Sequence, residues 1–154
     1  MPVVRLARMI QTSPPAAAPK VVHTEHIGIR VRDMEASLAF YHGTLGLAIA
    51  ERRTMPSGNE IVFLELGSAG YVELISRAAP GFTPAQPVPG GQAGLQHFAI
   101  QVEDLDVWLA HIKAHEVPLT VQPFAFELTA HRCRAFFVAD PDGTPVELFE
   151  RRPK

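Results

Sequence analysis

The chain carries the same short pattern twice, and each copy supplies one histidine and one glutamate. The first copy opens with His26-Ile27-Gly28-Ile29 and closes with Val72-Glu73-Leu74. The second copy opens with His97-Phe98-Ala99-Ile100 and closes with Val146-Glu147-Leu148. The spacing between histidine and glutamate is almost the same in both copies. This repetition predicts two similar half-domains, which constrains the fold more than any other feature of the chain.

Length and composition set the class of protein. The chain has 154 residues, of which 47% are hydrophobic, and this is enough for one compact domain with a sizeable core. The formal net charge is −2, so no basic face for nucleic acid is expected and small molecules are the expected partners. The single Cys133 excludes an intrachain disulfide and suits a reducing, cytoplasmic location. No apolar run approaches the roughly 20 residues that span a bilayer, so no membrane association is expected.

Proline and glycine divide the chain into segments. Residues 1–20 contain a Pro- and Ala-rich stretch and are predicted to be an N-terminal extension. Residues 78–94 hold four prolines and four glycines and are predicted to be a connector. The two modules are then expected at residues 21–77 and 95–152.

Each module shows the pattern of a strand, a helix and three further strands. Asp33 and Asp104 each follow an alternating strand pattern and are expected to cap the helix that comes next. The turn signals of the second module include Asp140-Pro141-Asp142-Gly143. The predicted fold class is therefore α+β, with two tandem βαβββ modules forming a curved, cup-like mixed sheet that has its helices on the outer face.

Strand alternation predicts which side chains share a face. Successive strand residues point to opposite faces, so each histidine and glutamate lies opposite the apolar residues that pack under the helix. The face of His26 also carries Arg30, and the face of His97 also carries Gln101. Two imidazoles and two carboxylates in one cleft predict a divalent metal site, with the ligands His26, Glu73, His97 and Glu147.

These motifs resemble the vicinal oxygen chelate superfamily, which includes glyoxalase I, methylmalonyl-CoA epimerase, extradiol dioxygenases and the fosfomycin and bleomycin resistance proteins. The resemblance covers about Val22 to Arg152. It rests on the paired βαβββ order, the His-Ile-Gly-Ile opening, Leu45-Gly46-Leu47 after the first helix, and the Asp-Pro-Asp-Gly and Val-Glu-Leu ending. It implies the same four ligands for one divalent ion per site, of the kind Ni, Co, Zn, Mn or Fe.

The resemblance also implies a reaction class. In glyoxalase I the metal-bound glutamates shuttle a proton, which assigns the catalytic role to Glu147 and Glu73 and predicts a metal-dependent lyase or isomerase similar to lactoylglutathione lyase. Oxygen-activating iron enzymes typically use two histidines and one carboxylate, so the fourth ligand Glu73 disfavours an extradiol dioxygenase. A ligand-sequestering resistance protein without turnover is the second alternative.

Three residues are predicted to bind substrate: Arg30, Arg77 and Gln101. Arg30 matches the position of a glutathione-binding arginine in glyoxalase I, while Arg77 replaces an asparagine of that enzyme. Methylmalonyl-CoA epimerases usually have glutamine in place of Glu73. If this chain resembles them in mechanism, Glu60 is a candidate base outside the metal shell. The substrate therefore stays open. A homodimer is expected, and the sequence leaves open whether the four ligands come from one chain or from two.

Overall fold

The computed structural model describes residues 21–76 and 94–154. The predicted N-terminal extension, Arg77 and nearly all of the predicted connector lie outside the described residues. None of the helices among the described residues is long and apolar enough to cross a membrane.

The first module contains one strand, a short helix and three strands. Strand β1 spans His26–Val31, helix α1 spans Met34–Leu38, and β2, β3 and β4 span Ile49–Thr54, Glu60–Glu65 and Tyr71–Ser76. Asp33 caps α1, as predicted, because its Oδ1 accepts a hydrogen bond of 3.0 Å from the Ala36 amide. The helix widens into a π-helical segment, Ala39–Thr44, and the backbone turns at Gly46 with φ 72°.

The second module repeats this order with longer strands. Strand β5 spans Phe98–Val102, helix α2 spans Leu105–Ala114, and β6, β7 and β8 span Leu119–Glu127, His131–Ala139 and Pro145–Pro153. Asp104 caps α2 by accepting from the amides of Asp106 and Val107. Strand β6 extends to Glu127, where it still pairs with Arg132 of β7.

Each module forms one four-stranded mixed sheet. The strand orders are β1-β4-β3-β2 and β5-β8-β7-β6, so the two sheets have the same topology. In both sheets the first strand pairs in parallel with the fourth, and the remaining pairs are antiparallel. The predicted α+β class with two βαβββ modules is confirmed.

One hydrophobic core joins both modules. It contains apolar residues from both sheets together with both helices, and its largest fully buried side chains include Tyr41, Phe136 and Leu64. Strand parity is as predicted, since Ile29 and Val31 face this core whereas His26 and Arg30 are exposed on the other side of β1. The histidine-bearing faces of the two sheets therefore point away from the core that the modules share.

Polar contacts fasten the modules to each other at the Asp140–Gly143 turn. The buried Tyr41 hydroxyl donates a hydrogen bond of 2.9 Å to Oδ2 of Asp140, and burial together with this carboxylate raises the pKa of Tyr41. The Arg32 amide donates to Oδ2 of Asp142 at 2.9 Å, and the Arg32 Nε also contacts that carboxylate. The Asp140–Gly143 turn of the second module therefore contacts the residue that follows β1 in the first module.

Candidate metal centre

The second module brings His97 and Glu147 together. Glu147 lies on β8, and its register partner Ala99 lies on β5 two residues after His97. The Nε2 atom of His97 is 3.2 Å from Oε2 of Glu147, and the two side chains are 34% and 10% exposed. A largely buried carboxylate and a more exposed imidazole therefore lie next to each other on one face of the sheet.

The first module repeats the pair at the equivalent place. The Nε2 atom of His26 is 3.5 Å from Oε2 of Glu73, with the carboxylate 16% exposed and the imidazole 42% exposed. The other ring nitrogen of His26, Nδ1, contacts the carboxylate of Glu25. That hydrogen bond raises the pKa of His26, and the charge of Glu73 adds to the effect while desolvation opposes it.

An edge-on phenylalanine stands beside each histidine. The ring centroids of His97 and Phe137 are 5.0 Å apart at 82°, and those of His26 and Phe63 are 5.9 Å apart at 84°. Phe137 is the register partner of Glu147, and Phe63 is the register partner of Glu73. The sequence motifs do not single out Phe63, although its position on the third strand of its module was a usable signal.

A small residue leaves room for each carboxylate on the neighbouring strand. Gly28 is the register partner of Glu73, and a Cβ atom at Gly28 would lie 3.5 Å from Oε2 of that glutamate. Ala99 occupies the equivalent position beside Glu147. Each Glu side chain can therefore lie across the first strand toward its histidine.

The donor set fits a divalent cation. Among the described residues, His97 is the only side chain within hydrogen-bonding or ion-pairing distance of the Glu147 carboxylate, so this largely buried charge lacks a full cationic partner. The contact of His26 Nδ1 with Glu25 matches the usual pattern of metal-ligating histidines, whose second ring nitrogen is held by a carboxylate or carbonyl. Two neutral imidazoles and two carboxylates would neutralise one divalent ion.

The structure forms two half-sites within one chain. In residues 21–76 and 94–154, no group of three or more His, Cys, Asp or Glu side chains is placed to hold a metal ion. Each module contributes its own histidine and glutamate, and the two pairs lie on faces that point away from the shared core. Within the described residues, the structure therefore brings the four predicted ligands together as two pairs and not as one group.

The residues predicted to bind substrate have different surroundings. Arg30 is exposed on the His26 face of β1, and no carboxylate of the described residues pairs with it. Gln101 is exposed on β5 opposite Phe149 and lines an open groove of about 430 Å³ with Leu47 and Trp108. Arg77 lies outside the described residues.

Glu60, the candidate base of the epimerase alternative, is engaged elsewhere. Its Oε1 accepts a hydrogen bond of 2.6 Å from Nε of Arg52, whose Nη2 donates to Glu35 at 2.6 Å. These two hydrogen bonds raise the pKa of the Arg52 guanidinium. A carboxylate held in this way favours a structural role for Glu60 over proton transfer.

Comparison with known proteins places this geometry in a family. Residues 23–148 match the model of the Glyoxalase/Bleomycin resistance protein/Dioxygenase superfamily, and the chain belongs to that superfamily. The protein YaeR of Escherichia coli is 34% identical over 140 residues, which cover 86% of this chain and 97% of YaeR.

Two relatives with named activities differ from each other in reaction. Bovine mitochondrial methylmalonyl-CoA epimerase is 27% identical over 143 residues, covering 89% of this chain and 80% of the epimerase. The structure of the trypanothione-dependent glyoxalase I of Leishmania major superposes with a TM-score of 0.63 at 30% identity, covering 81% of this chain and 84% of that enzyme. The superfamily resemblance expected from the motifs is confirmed, and both a lyase and an isomerase stand among the relatives.

Proposed function

We propose that this chain is a divalent-metal-dependent lyase or isomerase that moves a proton at a carbon next to a carbonyl. The observation that carries the proposal is the matched pair of half-sites, each with a histidine Nε2 within 3.5 Å of a glutamate Oε2 and an edge-on phenylalanine. A fold requires neither residue at these positions, and a chance repeat of the whole arrangement in both modules would be an improbable coincidence. Membership of the superfamily supports the same reading.

Glu147 is the proposed base. Its carboxylate is only 10% exposed and lies 3.2 Å from the His97 imidazole, so it is sheltered from bulk water beside the proposed metal position. In a lyase it would take the proton from the carbon beside the carbonyl and return it to the neighbouring carbon. In an epimerase it would take the proton from one face of that carbon, and Glu73 in its protonated form, at the equivalent position on the other wall, would donate a proton to the opposite face. A divalent ion bound by His26, Glu73, His97 and Glu147 would stabilise the negative charge that develops on the substrate oxygen.

The full site is proposed to form between two copies of the chain. Each copy presents a His–Glu face on each module, directed away from its own core. Pairing the first module of one copy with the second module of the other would bring two imidazoles and two carboxylates together, and two-fold symmetry would create two such sites. We therefore expect a homodimer.

Arg30, Gln101 and Arg77 are proposed to contact the substrate around this centre. Arg30 is suited to this role because its guanidinium has no carboxylate partner among the described residues and can grip a substrate carboxylate or phosphate with two hydrogen bonds. The cytoplasm is the proposed location, in keeping with a single cysteine that is buried and reduced.

The test is metal analysis followed by turnover. Protein loaded with Ni²⁺, Co²⁺, Zn²⁺ or Mn²⁺ should retain one ion per chain after gel filtration and should isomerise the hemithioacetal of methylglyoxal and glutathione. The His26→Ala/His97→Ala double variant should retain no ion, while His23→Ala, which alters a nearby exposed histidine, should bind as the parent does. Absence of bound metal in the parent protein would contradict the proposed function.

Epimerisation is the second candidate, favoured by the identity to bovine methylmalonyl-CoA epimerase over 89% of this chain. A metal-loaded protein that leaves the hemithioacetal unchanged should then exchange the α-proton of an acyl-CoA with deuterium from the solvent. Metal-loaded protein that binds oxygenated ligands without either reaction would favour the sequestering protein, and oxygen consumption with a catechol and Fe²⁺ would favour the dioxygenase.

A further inference from the structure

The face of the second sheet that carries His97 and Glu147 also carries four phenylalanines. We call this set, Phe124, Phe126, Phe137 and Phe149, the aromatic wall. Phe124 stacks on Phe126 with ring centroids 5.9 Å apart and on Phe137 at 6.3 Å, and Phe126 meets Phe149 edge-on at 5.8 Å. The rings therefore form one continuous apolar surface across three strands.

The aromatic wall begins at the candidate metal ligands. Phe137 contacts the His97 ring and is the register partner of Glu147, while Phe149 follows Glu147 by two residues on the same face of β8. Phe124 is 40% exposed and Phe126 is 36% exposed, so the wall is open to a ligand. A molecule held at His97 and Glu147 would extend directly over these rings.

An arginine closes the far end of the aromatic wall. Arg151 lies two residues beyond Phe149 on the same face, and its guanidinium carbon is 5.3 Å from the Phe149 ring centroid. No carboxylate of the described residues pairs with Arg151, whereas Arg134 and Arg152 on the neighbouring positions both contact Glu150. Arg151 is thus an uncompensated positive charge held over an aromatic ring.

The fold does not require this surface, as the first module demonstrates. Phe124 pairs with Ala135, which pairs with Phe149, and the equivalent positions in the first sheet are Arg53, Ile61 and Ile75. Among the four rings of the aromatic wall, only Phe137 has an equivalent phenylalanine in the first sheet, which is Phe63. The first sheet has the same topology without the other three rings, which points to a binding role for them.

From this arrangement we infer that the ligand of the second module has three parts: vicinal oxygens at His97 and Glu147, a flat apolar group on the aromatic wall, and an anionic group at Arg151. This inference rests on the proposed function and adds the substrate class to it. At about 3.3 Å per strand residue, the Phe149 position lies about 7 Å from Glu147, which matches the length of one aryl ring with a substituent. The ligand class is an oxygen-chelating aryl compound with a distal carboxylate or phosphate.

Aryl hydroxamates are suitable probes because the hydroxamate supplies two vicinal oxygens and does not react with arginine. Isothermal titration of zinc-loaded protein would compare acetohydroxamate, benzohydroxamate, para-carboxybenzohydroxamate and its neutral analogue para-carbamoylbenzohydroxamate. We expect the ring to strengthen binding roughly tenfold and the carboxylate to add a further several-fold gain over the carbamoyl group. Phe149→Leu should abolish the gain in affinity from the ring. Arg151→Gln should abolish the gain in affinity from the carboxylate.

The matched control is Arg132→Gln. Arg132 is exposed on β7, and its register places it on the opposite face from Cys133, the partner of Arg151. This variant should leave all four affinities unchanged. Equal affinities for the four hydroxamates in the parent protein would overturn the inference. A second result would also overturn it: a Phe124→Leu variant whose oligomeric state, measured by light scattering, changes while the gain in affinity from the ring does not. The aromatic wall would then be an interface between copies.

A metal-free measurement separates this inference from the proposed function. Para-ethylbenzoate lacks the chelating group and should shift the NMR signals of metal-free protein in the parent but not in Arg151→Gln. If the protein binds no metal and this response persists, the aromatic wall and Arg151 still form a site while the proposed function fails. If metal binds and neither probe series responds to Phe149 or Arg151, the proposed function stands and the ligand class is wrong.

Discussion

The Nε2 atom of His97 lies 3.2 Å from Oε2 of Glu147, and the equivalent atoms of His26 and Glu73 lie 3.5 Å apart. The two modules thus reproduce one local geometry although their sequences differ around it. A carboxylate that is 10% exposed and contacts only an imidazole among the described residues is placed to receive a cation.

Glu147→Gln should lower turnover far more than it alters the fold. Because a glutamine cannot accept the substrate proton, we expect kcat to fall by about 10²–10⁴-fold with the best substrate. Glu73→Gln should cost less in an epimerase and as much in a lyase. Steady-state kinetics on metal-loaded protein would measure both, with Glu116→Gln, at an exposed position two residues beyond the end of α2, as the control. Full activity of Glu147→Gln would show that another group moves the proton.

Two inactive variants should restore activity when mixed. One would carry His26→Ala and Glu73→Ala, and the other His97→Ala and Glu147→Ala. If each site combines modules of two chains, random exchange of subunits should give about one quarter of the parent activity, since half of the dimers regain one of two sites. Refolding the mixture together, with each variant alone as the control, measures this. No recovery from an exchanged dimer would place the whole site in one chain.

Tyr41→Phe should destabilise the protein by about 1–3 kcal/mol. The Tyr41 hydroxyl is buried and donates to Asp140, which also accepts from the amides of Asp142 and Thr144. Its loss leaves a buried carboxylate with one donor fewer at the junction of the modules. Urea unfolding followed by circular dichroism gives the change in free energy. Tyr71→Phe is the matched control, because the Tyr71 hydroxyl makes no hydrogen bond with the described residues, and equal effects of the two changes would contradict the prediction.

Gly70→Ala should disturb the entry to β1 and with it the position of His26. A Cβ atom at Gly70 would overlap the carbonyl oxygens of Thr24 and Glu25, and the backbone there has φ 101°. We expect a loss of several kcal/mol or weaker metal binding through a shifted His26. Gly67→Ala is the control, since its φ is also positive at 59° but nothing lies within 4 Å of the added carbon. Thermal melting and metal titration would compare the stability and the metal affinity of the two variants. Identical melting temperatures for Gly70→Ala and Gly67→Ala would contradict the prediction.

The sequence was sufficient to predict the order of strands and helices in each described module and the faces of its strands. Alternation in His26–Val31 and the caps at Asp33 and Asp104 depend on local chemistry, so they could be inferred without tertiary structure. Strand parity then placed each histidine on the face of its glutamate, which the registers of β4 and β8 confirm.

Other features depend on contacts between distant residues and were beyond local reasoning. The π-helical widening after Leu38 and the extension of β6 to Glu127 are set by packing and pairing with other elements. The separation of the two His–Glu pairs arises because both modules bury their apolar faces in one core, and no local pattern encodes which faces meet. The engagement of Glu60 by Arg52 likewise requires the register of β2 and β3.

The sharp contrast between Arg53 and Phe124 at equivalent sheet positions has an evolutionary consequence. The two modules keep the histidine and glutamate, while the surrounding strand positions carry different residues. In the proposed site, changes on the outer strands of one module would alter what is recognised at one end of a ligand while the proposed metal ligands at the centre are preserved. Such a chain can acquire new specificities one half at a time.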